Sequence, residues 1–291
     1  MSAVVFLHLL ALKVGAEVDD LGNEVVLTAP PQRIVSLAPS NTELLFALGL
    51  GSRVVGVTEY CNYPPEAKRR TAVAGFSTLS AERVAALVPD LVLAARGNDL
   101  EGLESVRQLG IPVFALNVQN LRQLVEASHR VGRLTGESDA GESLATSLVL
   151  RIEAVNAAVK ERRRPRVFWG YWGDPIYTAG ADNIIDDVIQ AAGGENVGRQ
   201  AQGMWPQVSL EAVVGWAPEV IVTTYLPAGN SETAMAGEID QLRSLNGWNS
   251  LPAVRDSRIV HMDADLLNRA GPRAVDALEQ MARVLHPAEP E

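Results

Sequence analysis

Short apolar runs alternate along this chain with stretches of helical spacing, and the alternation occurs in both halves. The runs that predict buried strands are residues 33–37, 54–57, 113–116, 167–170, 220–224 and 259–262. Helical patterns include residues 41–48, which stop at Gly49, and residues 184–192. Alternating strands and helices of this kind predict an α/β fold with two Rossmann-like lobes, each built on a mostly parallel sheet.

A long helix is predicted between the two halves, over residues 139–163. Its apolar residues recur at helical spacing, and neither Gly nor Pro occurs from Glu142 until Pro165. At about 1.5 Å per residue it would be a rod of roughly 37 Å, unlike a short Gly-rich hinge. The expected organisation is therefore an N-terminal lobe (17–138), an interlobe backbone helix (139–163) and a C-terminal lobe (164–287). A ligand is expected in the cleft between the lobes, outside the carboxyl ends of the strands.

One short motif recurs in each half at the same internal spacing. Residues 80–93 and 209–222 share a serine, a glutamate two positions later, a proline, an acidic residue and an apolar run. Ser80 and Ser209 are expected to cap short helices, so Glu82 and Glu211 should lie in exposed first turns. Either glutamate alone could be a helix-start carboxylate without further role, whereas the matched pair favours a function.

Composition and charge exclude several classes of protein. The chain has 291 residues, 47% of them hydrophobic, which is enough to bury a full core. A formal net charge of −10 argues against a general nucleic-acid or anionic-membrane surface. The basic run 160–164 is expected to complement the carboxyl end of a helix dipole. Cys61 is the single cysteine, so an internal disulfide or a cysteine-based metal cluster is excluded.

The first residues form a short apolar stretch, residues 3–12. It is too short to span a bilayer and lacks the basic residues that open a secretory signal. Residues 1–16 are therefore interpreted as a remnant of an export signal, an artefact or a first strand.

The sequence contains none of the common catalytic patterns. The four histidines, His8, His129, His261 and His286, are scattered, and only Asp263 lies near one of them, His261. A phosphate-binding glycine loop, a nucleophile elbow and a dinucleotide fingerprint are all missing. We therefore predict no catalytic residue, no metal ligand and no resident cofactor.

Four aromatic residues fall within five positions in the segment 168–172. Phe168 is expected in the core, while Gly170 and Gly173 let the chain turn so that Tyr171 and Trp172 face the cleft. Tyr60, Phe76 and Trp205 stand at other predicted strand-to-helix turns. Each buried aromatic side chain removes about 150–250 Å² from water, so several such walls favour a large, flat, nearly neutral ligand.

Several stretches together resemble a known family. They are Arg33 to Glu43, Tyr63-Pro64-Pro65, the two Ser-x-Glu motifs and Trp205-Pro206-Gln207-Val208-Ser209. From about Asp19 to about Leu285 the chain resembles the rigid-helix class of periplasmic binding proteins, which deliver vitamin B12, ferric siderophores and haem to ABC importers. Its likeness to the vitamin B12 branch is greatest. The resemblance implies a monomeric, periplasmic or otherwise extracytoplasmic binding protein for a corrinoid such as cobalamin, and not an enzyme.

The resemblance also implies roles for individual residues. Glu82 and Glu211 would form salt bridges with arginines of the membrane permease. The expected ligand-binding residues are Tyr60, Phe76, Arg96, Tyr171, Trp172, Trp205, Asp265 and Arg269. The chain departs from the vitamin B12 branch at Ala95, where that branch has a tryptophan, so one stacking wall is missing.

Two alternatives stay open at this point. Within the same class the ligand could be haem, with Tyr60 or His261 as axial ligand, or a hydroxamate siderophore. From a different class, a chelatase-like two-lobed enzyme could act on a tetrapyrrole, with Asp263 and His261 as its candidate chemical groups.

Overall fold

A computed structural model describes residues 15–75, 78–225 and 239–287. The chain divides into two compact units. The N-terminal lobe contains the chain up to Asn117 and returns for Ala127–Leu144; the C-terminal lobe contains Val118–Glu126 and the chain from Ala145 onward. Phe76 and residues 1–14 lie outside the described residues.

The N-terminal lobe is built on a five-stranded parallel sheet. Its strand order is β5-β4-β3-β6-β7, where the strands are β3 (Ile34–Ser36), β4 (Val54–Thr58), β5 (Thr71–Ala74), β6 (Leu91–Ala95) and β7 (Val113–Leu116). A separate antiparallel pair, β1 (Gly15–Val18) and β2 (Glu24–Leu27), precedes it. The α-helices between these strands are α1 (Pro39–Ala47), α2 (Ala81–Ala85) and α3 (Leu100–Gln108), with 3₁₀ turns at Gly51–Arg53 and Pro65–Arg69.

The C-terminal lobe repeats this plan on a four-stranded parallel sheet of order β10-β8-β12-β13. Its strands are β8 (Arg166–Trp169), β10 (Glu195–Asn196), β12 (Val220–Tyr225) and β13 (Ile259–Asp263), and β9 (Ile176–Tyr177) pairs with β11 (Gln207–Val208) beside it. The helices are α6 (Ile184–Ala191), α7 (Leu210–Trp216), α8 (Pro252–Arg255), α9 (Ala264–Leu267) and α10 (Ala274–Leu285). Residues 239–244 are also helical, and 3₁₀ turns lie at Val197–Gln200 and Trp248–Ser250. Two parallel sheets with intervening helices confirm the predicted α/β class.

Each sheet is buried on both faces, as continuous apolar strands require. In the N-terminal lobe the core includes Val35, Val92 and Leu103. In the C-terminal lobe Phe168 is fully buried and contacts Trp248 edge to face, with ring centroids 6.1 Å apart. The prediction that Phe168 belongs to the core is confirmed.

Two helices, rather than one, have residues in both lobes. α5 (Ser138–Val159) matches the predicted long helix, but it ends before the basic run 160–164. α4 (Leu121–Thr135) also crosses the division, between Glu126 and Ala127. Among the described residues, no helix combines the length and the apolar content needed to cross a membrane.

The basic run begins directly after α5, at Lys160. No basic residue lies in the last turn of the helix. Arg163 instead pairs with Glu219 at 2.8 Å, and Arg164 donates to the carbonyl of Gly194 at 2.6 Å. The cations are used to fasten the chain that follows α5 to its neighbours in the C-terminal lobe.

The repeated motif has the same backbone geometry in each lobe. Asp90 accepts a hydrogen bond from the backbone N–H of Arg33 at 2.9 Å, and Glu219 accepts one from Arg166 at 3.0 Å. Each arginine side chain then donates to a carbonyl at the end of the motif's helix, Leu87 or Ala217, at 2.9 Å. The acidic residue of the motif therefore links two neighbouring strands of the sheet, β3 with β6 in the N-terminal lobe and β8 with β12 in the C-terminal lobe.

Candidate functional site

Three aromatic rings form a group at the carboxyl end of β8. Trp169, the last residue of that strand, is buried, and its ring lies 5.7 Å from Tyr171 and 5.6 Å from Trp205. Tyr171 and Trp205 are 39% and 47% exposed. We refer to Trp169, Tyr171 and Trp205 as the aromatic group; it places two partly exposed rings beside a buried indole.

Local backbone contacts explain why these rings meet. Thr178, just after β9, donates from its hydroxyl to the carbonyl of Trp169 at 2.6 Å and from its backbone N–H to Pro206 at 3.1 Å. Gly170 is required here, because a Cβ atom would lie 2.5 Å from the carbonyl oxygen of Tyr177. The β9 segment thus approaches the end of β8 and brings Trp205 alongside Trp169.

Tyr171 is oriented by its hydroxyl. The phenol donates to the carbonyl of Thr224 at 2.6 Å, and the Thr224 hydroxyl lies at 2.6 Å as well. Thr224 also accepts from the side-chain amide of Asn268 at 3.2 Å. These contacts link the aromatic group to the segment after β13, which carries Asp265 and Arg269.

Asp265 and Arg269 form an ion pair one helical turn apart. The carboxylate and guanidinium lie 2.5 Å apart, and their side chains are only 13% and 15% exposed. Asp263 serves as the cap of α9, accepting from the backbone N–H of Asp265 at 2.7 Å. This capping role accounts for Asp263 without an acid–base function.

Sequence reasoning missed Tyr177 as a candidate. It is 47% exposed, while its neighbour Ile176 is buried, as expected for two successive residues of a strand. Tyr177 pairs with Gln207, next to Pro206, and so lies close to the aromatic group. The alternation of Ile176 and Tyr177 was visible in the sequence, but a two-residue strand is too short for the pattern to be recognised.

The N-terminal lobe places two of the predicted ligand residues at the carboxyl edge of its sheet. Tyr60 follows β4 and is 50% exposed, and Arg96 follows β6 with an exposed side chain. The backbone N–H of Arg96 donates to Leu116 at 2.8 Å. A hydrogen bond to Glu59 and the negative charge of that residue raise the pKa of Tyr60.

Trp172 lies apart from the aromatic group in its contacts. It is half-buried, packs against the Phe168 and Trp248 core, and lines a cavity of about 490 Å³ together with Glu211. The sequence predicted that Trp172 faces the ligand with Tyr171. The structure gives the two rings different neighbours, since Trp172 packs against the C-terminal core and lines the cavity beside β11 and α7.

Glu82 and Glu211 have matching local geometry. Ser80 caps α2 by accepting from Arg83 N–H at 3.2 Å, and Ser209 caps α7 by accepting from Ala212 N–H at 3.2 Å. Both glutamates are exposed in first turns, as predicted. Each has a lowered pKa, first because its own backbone N–H hydrogen-bonds the carboxylate and then because the capping serine does so.

His129, His286 and Cys61 have structural neighbours, and His261 lies on β13 in register with Thr223 of β12. His129 pairs with Glu142 at 3.3 Å, and a ring nitrogen of His286 lies 3.1 Å from the carbonyl of Ala192. Cys61 is buried between the hydroxyls of Thr42 and Thr58. Within residues 15–75, 78–225 and 239–287, no group of three or more His, Cys, Asp or Glu could hold a metal ion.

Comparison with known proteins identifies the family of this chain. Residues 34–266 match the family model described as periplasmic binding protein. The chain is 32% identical over 279 residues to an uncharacterized ABC transporter substrate-binding lipoprotein, YvrC, of Bacillus subtilis, with 93% of this chain and 85% of that protein covered.

Solved structures give the same result. The periplasmic vitamin B12 binding protein BtuF of Vibrio cholerae is 31% identical, with a TM-score of 0.76 and coverage of 88% of this chain and 97% of that one. The periplasmic heme-binding protein RhuT from Roseiflexus sp. RS-1 is 29% identical, also with a TM-score of 0.76, and covers 87% and 97%. The chain therefore belongs to the periplasmic binding protein family, as an extracytoplasmic substrate-binding protein of an ABC transporter and not an enzyme.

Proposed function

We propose that the protein captures a corrinoid such as cobalamin, using the aromatic group as its main ligand surface, and delivers it to an ABC importer. The observation that carries this proposal is the pair of partly exposed rings, Tyr171 and Trp205, that contact buried Trp169. Tyr60 and Arg96 of the N-terminal lobe contribute further contacts. The vitamin B12 binding relative supports the choice of a corrinoid.

The charges near the aromatic group favour a ligand of low net charge. Asp265 and Arg269 neutralise each other at 2.5 Å, so together they offer hydrogen bonds rather than a net charge. A nearly neutral metal chelate with amide groups at its edge, such as a corrinoid, suits a surface of low net charge. A catecholate siderophore carries several negative charges and would need more arginines. Asp265 and Arg269 are therefore assigned to polar groups at the ligand's edge.

Haem is the second candidate, because a heme-binding relative has the same fold and Tyr60 offers an exposed phenol. An iron centre takes tyrosine as a phenolate. Glu59 raises the pKa of Tyr60 and so opposes that ionisation.

Titration of the purified protein with cyanocobalamin, hemin and a ferric hydroxamate ranks these ligands directly. Quenching of tryptophan fluorescence reports contact with the aromatic group, and the absorption spectrum of each chelate reports a change of axial ligand. We expect the protein to bind the corrinoid, and we expect the Tyr60→Phe variant to bind it with unchanged affinity. A Soret shift with hemin that Tyr60→Phe abolishes would support haem instead.

For the importer, we propose that Glu82 and Glu211 pair with arginines of the permease, one from each lobe, and that the protein acts as a monomer. Both carboxylates are exposed and share a geometry that lowers their pKa, so both are ionised at neutral pH. Matched carboxylates on two lobes suit two cationic partners.

A further inference from the structure

A cavity of about 490 Å³ lies in the C-terminal lobe directly beside Glu211. Trp172 and Trp248 contribute aromatic walls, with Trp248 buried and Trp172 half-buried. Glu211 and Asp174 contribute exposed carboxylates. None of its lining residues in the described chain is basic.

This combination of groups is suited to a cation with a flat face. A guanidinium stacks on an indole and pairs with a carboxylate at the same time, whereas an ammonium is a more strongly hydrated point charge. A salt bridge to a carboxylate on a flat surface needs no cavity, whereas this cavity of about 490 Å³ has room for a side chain. An apolar stem could lie against the tryptophan walls while its charged end reaches Glu211.

We infer that this cavity seats an arginine side chain of the importer, whose guanidinium stacks on Trp172 and pairs with Glu211. The inference rests on the proposed docking role of Glu211 and adds an aromatic residue to it. Trp172, Asp174 and Trp248 lie outside the motif that the two lobes share. The aromatic seat is thus a feature of the C-terminal lobe that the repeat does not explain.

A small-molecule experiment tests the seat without the importer. The indole N–H signals are followed by NMR while N-acetyl-arginine amide is added, and the Trp172 signal is assigned with Trp172→Phe. N-acetyl-citrulline amide, a neutral compound of nearly the same shape, is the matched control for charge. N-acetyl-lysine amide carries the same charge without a planar group and so tests whether the flat guanidinium is needed. We expect the arginine probe to shift the Trp172 signal most and Glu211→Gln to remove the shift. An equal shift with citrulline, or none with arginine at tens of millimolar, a concentration suited to weak binding, overturns the inference.

Importer binding provides the second test, with the cognate permease in nanodiscs. Trp172→Leu keeps an apolar side chain but lacks the ring, so permease affinity should fall about 3- to 30-fold, while Trp172→Phe retains most of it. Equal permease affinity for Trp172→Leu and wild type would overturn the seat and leave the Glu211 salt bridge standing. If Glu82→Lys and Glu211→Lys both bind the permease as tightly as wild type, the docking proposal itself is refuted.

Ligand affinity separates the seat from the ligand site. Trp172→Leu should bind the chelate as tightly as wild type, because Trp172 lines the Glu211 cavity. A variant that loses ligand affinity but keeps permease affinity would assign Trp172 to the ligand site and overturn the inference. Circular dichroism shows whether the variant folds, and the wild-type NMR titration decides the question if it does not.

Discussion

Trp205 is the most exposed ring of the aromatic group, and its predicted contribution is the largest. Its ring centroid lies 5.6 Å from that of the buried Trp169, and the residue is 47% exposed. Trp205→Ala should weaken corrinoid binding by about 2 kcal/mol or more, roughly 30-fold, as for tryptophans at the centre of an interface. Isothermal calorimetry measures the loss, with Trp172→Leu as the matched control. Equal effects of the two variants would contradict this assignment.

Tyr171 tests whether orientation of a ring contributes to affinity. Its hydroxyl contacts Thr224 at 2.6 Å, and Tyr171→Phe removes only that oxygen. The bond orders the ring in the free protein and is worth about 1 kcal/mol, so its loss should lower ligand affinity by at most about fivefold. Unchanged affinity in Tyr171→Phe would show that ring packing alone sets the orientation.

At the scale of an element, the α9 segment depends on the Asp265 and Arg269 pair. Both side chains are largely buried, so removing one partner takes away part of the charge compensation of the other. Arg269→Met should therefore lower the free energy of unfolding more than the double variant Asp265→Leu with Arg269→Met. Urea unfolding of the two single variants and the double variant gives the coupling energy. Additive losses would mean that the pair has no energetic coupling.

The caps of α2 and α7 determine how docking depends on pH. In the folded protein Glu82 and Glu211 are exposed and have pKa values below the ordinary 4.5, so both carboxylates stay ionised as the pH falls toward that value. Permease affinity should be level at neutral pH and decline only below about pH 4.5. Ser80→Ala with Ser209→Ala removes one cause of the lowered pKa and should move the decline to higher pH. An identical pH profile for wild type and this variant would contradict that account.

A charge reversal tests the docking carboxylates directly. Glu82→Lys combined with Glu211→Lys should abolish stimulation of the importer's ATPase and leave corrinoid affinity nearly unchanged. Asp90→Lys, at an exposed carboxylate of the same motif, is unsuitable as a control because Asp90 holds the backbone of Arg33. Glu101→Lys, exposed in the first turn of α3, provides the matched reversal. Comparable loss of ligand affinity in the double variant would place these glutamates in the ligand site.

At the scale of the whole molecule, the strands and the repeat were predictable because they depend on local patterns. Continuous apolar runs such as residues 113–116 identify buried strands, and Ser-x-Glu identifies a capped first turn. The end of α5 was placed too late because neither Gly nor Pro interrupts the chain before Pro165, and the contacts of the basic run with Glu219 and Gly194 are long-range. Trp172 was grouped with Tyr171 because neighbours in sequence share a turn, whereas their direction depends on packing against Trp248 and the β11–α7 segment.

The central claim is that the aromatic group of this substrate-binding protein recognises a corrinoid. Calorimetric titration of the wild-type protein and Trp205→Ala with cyanocobalamin tests it most directly. The account predicts binding in the nanomolar range for the wild type, near −12 kcal/mol, and a loss of about 30-fold or more in the variant. Absence of cyanocobalamin binding by the wild type at micromolar concentrations, or equal affinity of the two proteins, would contradict it.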